Sequence, residues 1–172
     1  MKDIIDGAMK AADFFGVGKK SERDRKHDEE LFDSLSEIIS SEDVSDLCDS
    51  LCDDCEYYSS QFRPLLDATE FIEDEDNEFI NDEIEDKACS LEESITDLWN
   101  YVQGAVLPHH KQDEDDDRRY TFNYKVWDRT VDNEEAAEEI FQDDMEEIRS
   151  LCEDVKDAYK DFRKQVREDL AV

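Results

Sequence analysis

The sequence contains few of the residues that make tight turns, with four glycines and two prolines in 172 residues. Glycine and proline together ordinarily make up about 12% of a protein. A sheet protein with many hairpins needs more of both, because they supply the backbone conformations of tight turns. Their scarcity therefore favours a mostly helical chain.

Positive charge is also scarce. The chain has 20 Lys and Arg against 52 Asp and Glu, which gives a net charge of −32 at pH 7. Contacts to nucleic-acid phosphates and to anionic lipid both depend on Lys and Arg. The composition therefore argues against direct nucleic-acid binding and against attachment to membranes by charge. No run approaches 18 apolar residues, so we expect no stable membrane insertion.

The beginning of the chain, Met1 to Asp6, lacks the apolar run and cleavage-like site of a secretory signal. The five cysteines are an odd number, and four of them fall on apolar helix faces. This usage is typical of a reduced, intracellular protein. We therefore expect a cytoplasmic location, which would be the host cytoplasm if a phage encodes the chain.

Apolar residues recur at helical spacing along most of the chain. An amphipathic helix at 3–15 precedes a basic linker from Lys19 to Lys26, which divides the chain into 1–26 and an acidic helical-bundle domain at 27–172. In that domain we predict a helix at 28–39 and a break at 40–41, where Ser40 and Asp43 can form a capping box. One long helix that presents two faces is the alternative. The next predicted helix buries Val44, Leu47, Cys48, Leu51, Cys52, Cys55, Tyr58 and Phe62.

Pro64 suits the first position of a further helix. Two later segments carry the alternating four- and three-residue spacing of a packing seam. The first runs from Ile84 to Val102, and the second lies in a helix predicted at 134–169. Between them, alternating residues from Tyr120 to Val126 predict an extended segment that pairs within the loop, pairs across a homodimer or lies as a strap. The predicted fold is all-α, an elongated bundle of four or five helices with one short β-like segment near 120–127.

The negative charge is concentrated in one part of the chain. Residues 28–86 hold 23 acids and one base, whereas the chain from Arg149 onward holds six of each and reads as a neutral surface. Salt adaptation would spread acids over the whole surface and reduce Lys and Cys, but this chain has 11 Lys and 5 Cys. The distribution indicates one anionic face, which repels itself unless a cationic partner covers it.

The density of this charge resembles that of DNA. A 30-residue helix is about 45 Å long, and duplex DNA of that length carries about 26 charges. Carboxylates on successive helical turns lie about 5.4 Å apart, close to the phosphate spacing of a strand. We therefore predict a non-enzymatic DNA mimic that blocks the basic groove of a nucleic-acid-binding protein, as a viral anti-restriction or anti-CRISPR inhibitor of a nuclease would. The predicted partner-binding residues are Asp46, Asp49, Asp53, Asp54, Glu56, Glu73, Asp74, Glu75, Asp76 and Glu78.

Two alternatives account for the same composition. An immunity or antitoxin protein would neutralise a basic toxin or enzyme through a few anchors, of which Tyr57, Trp99, Phe122 and Trp127 are candidates. A salt-adapted acidic helical protein would carry the charge without mimicry. The first alternative predicts that binding depends on aromatic residues, and the second predicts that folding depends on salt.

The motifs of known catalytic and metal sites are weak in this chain. Cys48, Cys52 and Cys55 have the spacing of a three-cysteine iron–sulfur loop, but they share a predicted helix face and are expected to pack in the core. No Glu-x-x-His pair exists, which excludes the usual di-iron bundle site. There is also no Gly-rich phosphate loop and no serine nucleophile motif. We expect no catalytic residue, no metal and no cofactor.

Overall fold

The computed structural model describes residues 21–105, 107–108, 117–122 and 134–171. Its helices are α1 (Glu22–Ile38), α2 (Ser41–Asp49), α3 (Ser59–Glu73), α4 (Asp82–Ala105) and α5 (Glu134–Leu170). A π-helical segment at Ser50–Asp54, a 3₁₀ turn at Glu75–Asn77 and three short strands complete the described chain. The prediction of an all-α bundle with a short β-like segment is confirmed. The helix predicted at 3–15 and residues 123–130 lie outside the described residues.

Helix α1 begins inside the segment that was predicted to be a basic linker. The Ser21 side chain accepts a hydrogen bond from the Asp24 amide, and the Asp24 carboxylate accepts one from the Ser21 amide. This reciprocal cap satisfies two first-turn donors. The prediction that the linker continues to Lys26 is therefore wrong, whereas the division of the chain at residue 26 stays a prediction.

The predicted break at 40–41 is confirmed. Ile39 and Ser40 are extended and separate α1 from α2. The Ser40 hydroxyl accepts from the Asp43 amide at 3.2 Å, and Asp43 accepts from the Ser40 amide at 2.8 Å. The alternative of one long helix across this point is thereby contradicted.

The prediction of one helix from Val44 to Phe62 is wrong, because the chain leaves the helix at Cys55. Cys55 adopts the left-handed conformation with φ 55°, and its amide donates to the Ser50 carbonyl to close the π-helical turn. Strand β1 (Glu56–Tyr58) follows and pairs antiparallel with β3 (Arg119–Thr121). Backbone bonds from a distant strand thus replace helical bonds that the local apolar spacing had predicted.

The sheet has the order β1-β3-β2, where β2 is Leu107–Pro108, and both pairs are antiparallel. Tyr57 faces Tyr120 across the first pair, and the two rings stack 4.9 Å apart. Tyr57 also meets the edge of the Phe62 ring at 5.0 Å. Only 1% of Tyr57 is exposed. The sheet therefore closes one end of the hydrophobic core.

Helix α3 begins at Ser59, so the prediction that Pro64 starts it is also wrong. Pro64 lies inside the helix, where it removes the bond that would reach the Ser60 carbonyl. The helix starts earlier because its first turn is capped from outside. Asp117 accepts bonds from the Ser60 amide at 2.9 Å and from the Ser59 hydroxyl at 3.0 Å.

The packing seams of α4 and α5 are confirmed. The seam residues of α4 are all 0% exposed, and most of those of α5 are fully buried. Those of α4 are Ile84, Ala88, Leu91, Ile95, Leu98 and Val102. These two helices form the largest contact between elements of the bundle. Phe162 of α5 contacts the rings of Phe32 and Phe79, at 6.1 and 5.9 Å. Helix α5 packs on α4, α2 and α1, whereas α3 packs on α4, α2 and α1.

A buried carboxylate joins the start of α1 to the turn before α4. Asp28 is 0% exposed and accepts hydrogen bonds from the Ile80 and Asn81 amides, at 2.8 and 3.1 Å. The Asn81 side chain continues the network to Asp169 of α5 at 2.7 Å. Asp28 thus has a structural role, although the sequence counted it among the surface acids.

Candidate protein-binding surface

The predicted partner-binding carboxylates form two groups on either side of α3. The first acidic patch consists of Asp46, Asp49, Asp53, Asp54 and Glu56 and precedes α3. The second acidic patch consists of Glu73, Asp74, Glu75, Asp76 and Glu78 and lies at the end of α3 and beyond it. The 15 residues of α3 span about 22 Å. The two patches are therefore separated along the chain by most of a helix.

The first acidic patch follows the outer side of α2 and the π-helical segment. Asp46, Asp49, Asp53 and Asp54 are all exposed. Because Asp46, Asp49 and Asp53 follow one helical path, they lie about one turn apart along it, and Asp54 is adjacent to Asp53. Asp49 is paired with Lys156 of α5 at 2.9 Å. The other three carboxylates form no salt bridge within the described residues.

Glu56 does not continue this row of carboxylates. It lies in β1, is partly buried, and forms a salt bridge with Arg119 of β3. This pair links the two strands next to the backbone bond from the Phe122 amide to the Cys55 carbonyl. Glu56 is therefore a sheet contact paired with Arg119, and three carboxylates on successive turns, Asp46, Asp49 and Asp53, remain as the DNA-like row.

The second acidic patch is exposed at every position. The Asp74 carboxylate accepts from the Asp76 amide at 3.0 Å and fixes the 3₁₀ turn. His27 of α1 lies 3.3 Å from the Glu78 carbonyl oxygen and holds the end of the turn against the bundle. The turn is thus anchored by these contacts, while all five acidic residues of the patch are exposed.

A third acidic segment was not singled out in the sequence. The first four turns of α5, at 134–147, contain eight acids and no base. Asp144 accepts a hydrogen bond from the Tyr101 hydroxyl at 2.8 Å. Burial and this bond raise the pKa of Tyr101. Sequence reasoning missed the segment because it averaged these acids with the six bases that follow in the same helix.

Two of the five thiols, Cys48 and Cys152, lie in the core, whereas Cys52 and Cys55 are half-buried and Cys89 is exposed. Cys48 is buried, as predicted, and its thiol donates toward the Cys152 carbonyl at 3.7 Å. The contact with Cys48 and burial raise the pKa of Cys152, so this thiol stays protonated. Cys55 lies beyond the helix, so the prediction that three cysteines share one helix face is wrong. Within the described chain, no group of three or more potential ligands is placed to hold a metal ion.

Two of the proposed aromatic anchors are not available at the surface. Tyr57 and Phe122 are 1% and 7% exposed. Trp99 is partly buried and packs on Phe62 at 4.9 Å between ring centroids. Trp127 lies outside the described residues. Carboxylates, not aromatic rings, therefore dominate the described surface.

Comparison of the chain with known protein families, curated proteins and solved structures finds no significant match. Among the described helices, none is both long enough and apolar enough to cross a membrane.

Proposed function

We propose that the protein is a non-enzymatic inhibitor that mimics DNA and occupies the basic groove of a nucleic-acid-binding protein, such as a restriction or CRISPR nuclease. The observation that carries the proposal is the exposure of nine of the ten predicted carboxylates, with only Glu56 partly buried. Exposed carboxylates at turn spacing can replace phosphates as partners of Lys and Arg. The proposal is independent of any similarity to known proteins.

The two acidic patches suggest two points of contact with the partner. Helix α3, which lies between them along the chain, is about 22 Å long, roughly two-thirds of one turn of duplex DNA, which is about 34 Å long. A groove that binds duplex DNA offers basic residues over such a distance. Each patch would then replace a short run of phosphates, and the intervening α3 surface would bridge them.

The burial of Tyr57 and Phe122 supports charge-based recognition over the anchor-based alternative. Anchor residues that dominate an interface must enter a pocket of the partner. Two of the four candidates are held inside this fold by the β1–β3 pairing. An immunity or antitoxin role would therefore depend on Trp99 or Trp127.

The first experiment identifies the partner and tests for competition. The full chain is immobilised in an extract of the source cell or its host, and captured proteins are challenged with duplex DNA. Mimicry predicts a nucleic-acid-binding protein that duplex DNA releases. The affinity should fall at least tenfold between 50 and 200 mM salt, because charged contacts dominate. A partner that DNA does not displace would contradict the proposal.

The second experiment neutralises each patch in turn. We expect D46N/D49N/D53N/D54N and E73Q/D74N/E75Q/D76N each to weaken binding at least tenfold, which is about 1.4 kcal/mol. The matched control is D33N/E37Q/E93Q/D97N, which removes four exposed charges of α1 and α4 outside both patches. Equal loss in all three variants would show that net charge alone acts. Loss only on substitution of Trp99 or Trp127 would favour the antitoxin alternative.

A further inference from the structure

Helix α5 carries a basic groove on this strongly acidic molecule. Five of the six bases from Arg149 onward line the groove, against one of the six acids, Glu168. The bases lie at helical spacing along one side of α5, and Ser41, Val44 and Ser45 of α2 form the opposite wall. The groove has a volume of about 700 Å³. The bases are Lys156, Lys160, Arg163, Lys164 and Arg167.

Arg163 is held in place by aromatic rings. Its guanidinium lies 5.3 Å from the centroid of the Phe32 ring and 5.8 Å from that of Tyr159. It also donates to the Tyr159 hydroxyl at 3.1 Å. Contacts with ring faces stabilise a cation without neutralising it. Arg163 is therefore an oriented positive charge that is still able to bind an anion.

The other bases differ in how far their charge is compensated. Lys156 is paired with Asp49, and Lys164 lies 4.0 Å from Glu168. Lys160 and Arg167 are exposed and form no salt bridge with any residue that the structure describes. Three positive charges of the groove, those of Lys160, Arg163 and Arg167, are thus not matched by a carboxylate within the described chain.

We propose that this groove binds a compact oligophosphate, a di- or triphosphate group carried by a small molecule of nucleotide size. A volume of about 700 Å³ is that of a typical small-molecule site. Arginine forks bind phosphate oxygens in pairs, and lysines add point charges.

A compact ligand fits better than a long polyanion. The net charge of −32 repels nucleic acid at distances where salt screening is incomplete, and the Debye length is about 8 Å at physiological salt. Only an anion that enters the groove comes closer to the five bases than to the surrounding acids. An oligophosphate concentrates several negative charges within such a distance.

The test is calorimetric titration of the full chain with sodium triphosphate and with ATP, in EDTA and 150 mM salt. The proposal predicts saturable binding at one site for at least one of these probes. Equal affinities would mean that the oligophosphate alone is recognised. Tighter binding of ATP would indicate that the nucleoside also packs on the groove wall at Val44. Either result supports the proposal. The absence of saturable one-site binding for both probes overturns it.

Matched variants separate the groove from net charge. K160Q/R167Q removes the two unpaired bases and should weaken triphosphate binding at least tenfold. K87Q/R149Q makes the same change in net charge outside the groove lining and should weaken it less than threefold. Equal losses would show that bulk charge alone acts and would overturn the site. Unchanged triphosphate binding in K160Q/R167Q would also overturn the site.

Thermal unfolding supplies an independent measurement on the unmodified chain. Triphosphate should raise the melting temperature of the wild type more than sulfate at equal ionic strength, because a ligand of the native state stabilises it. Sedimentation provides the last check. A wild-type dimer that K160Q/R167Q dissociates, together with no triphosphate binding, would assign the groove to a second copy and overturn the proposal. None of these measurements depends on the DNA-mimic proposal.

Discussion

Asp28 illustrates how one residue can differ from its sequence context. It lies in a segment where most acids are exposed, yet its carboxylate is fully buried and accepts two backbone bonds. A pattern of charge cannot distinguish this position, because the donors come from Ile80 and Asn81, far along the chain. The sequence offered one faint signal, since Asp28 precedes the apolar pair Leu31 and Phe32 by one helical turn.

Replacing Asp28 with alanine should cost about 2–4 kcal/mol of unfolding free energy, because the Ile80 and Asn81 amides lose their bonds to this buried carboxylate. The measurement is urea unfolding of both proteins at pH 7. D33A is the matched control, since Asp33 lies exposed on the same helix and should change stability by less than about 0.5 kcal/mol. A D28A protein as stable as D33A would contradict the buried role.

At the scale of elements, the helices that pack through a long apolar seam could be predicted, and the joints between them could not. The regular spacing in α4 and α5 reflects burial against each other, which the sequence records directly. The joint at Cys55 depends on β3, whose pairing with β1 has no local signature. The start of α3 depends in the same way on Asp117, which the sequence placed in an acidic loop.

The cap of α3 makes a prediction about pH. Partial burial alone would raise the pKa of Asp117, but bonds from Ser60 and Ser59 outweigh it and hold the pKa below its usual value. Because the pKa of this carboxyl group is lower in the folded state than in the unfolded state, its ionised form stabilises the fold. The full stabilisation is present above the pKa of the unfolded state, near 3.9. That stability is lost as pH falls through the folded pKa.

D117N should therefore lower the unfolding free energy by about 0.5–2 kcal/mol at pH 7, as losing a helix cap does. The difference from wild type should shrink as pH falls below 4. Urea unfolding between pH 7 and pH 3 measures both effects. D53N is the control, because Asp53 is exposed and forms no described cap. A difference that stays constant down to pH 3 would argue against the cap.

At the scale of the whole molecule, the sequence predicted which acids are exposed better than it predicted how they are grouped. A single anionic face was expected across 28–86, and this stays a prediction; along the chain, the predicted residues lie in two groups, before α3 and at its end and beyond. Glu56 forms a salt bridge within the sheet, and the sequence analysis did not single out the acidic start of α5. Grouping depends on how helices fold back on each other, and composition carries no record of that.

The net charge predicts how stability responds to salt. Self-repulsion among the acids destabilises the compact state, and added salt screens it. We expect the melting temperature to rise by a few degrees between 20 and 500 mM NaCl, with a folded protein at both concentrations. Circular dichroism during heating measures this change. Salt adaptation predicts instead an unfolded chain at 20 mM NaCl. A melting temperature independent of salt would contradict both self-repulsion and salt adaptation.

The pairing of Tyr57 with Tyr120 also fixes an order of events in folding. It joins parts of the chain that are distant in sequence, so it closes after the local turns of α1 to α4 have formed. Hydrogen exchange should therefore be faster at the Ser59 and Phe122 amides, whose bonds depend on β3, than in the middle of α4.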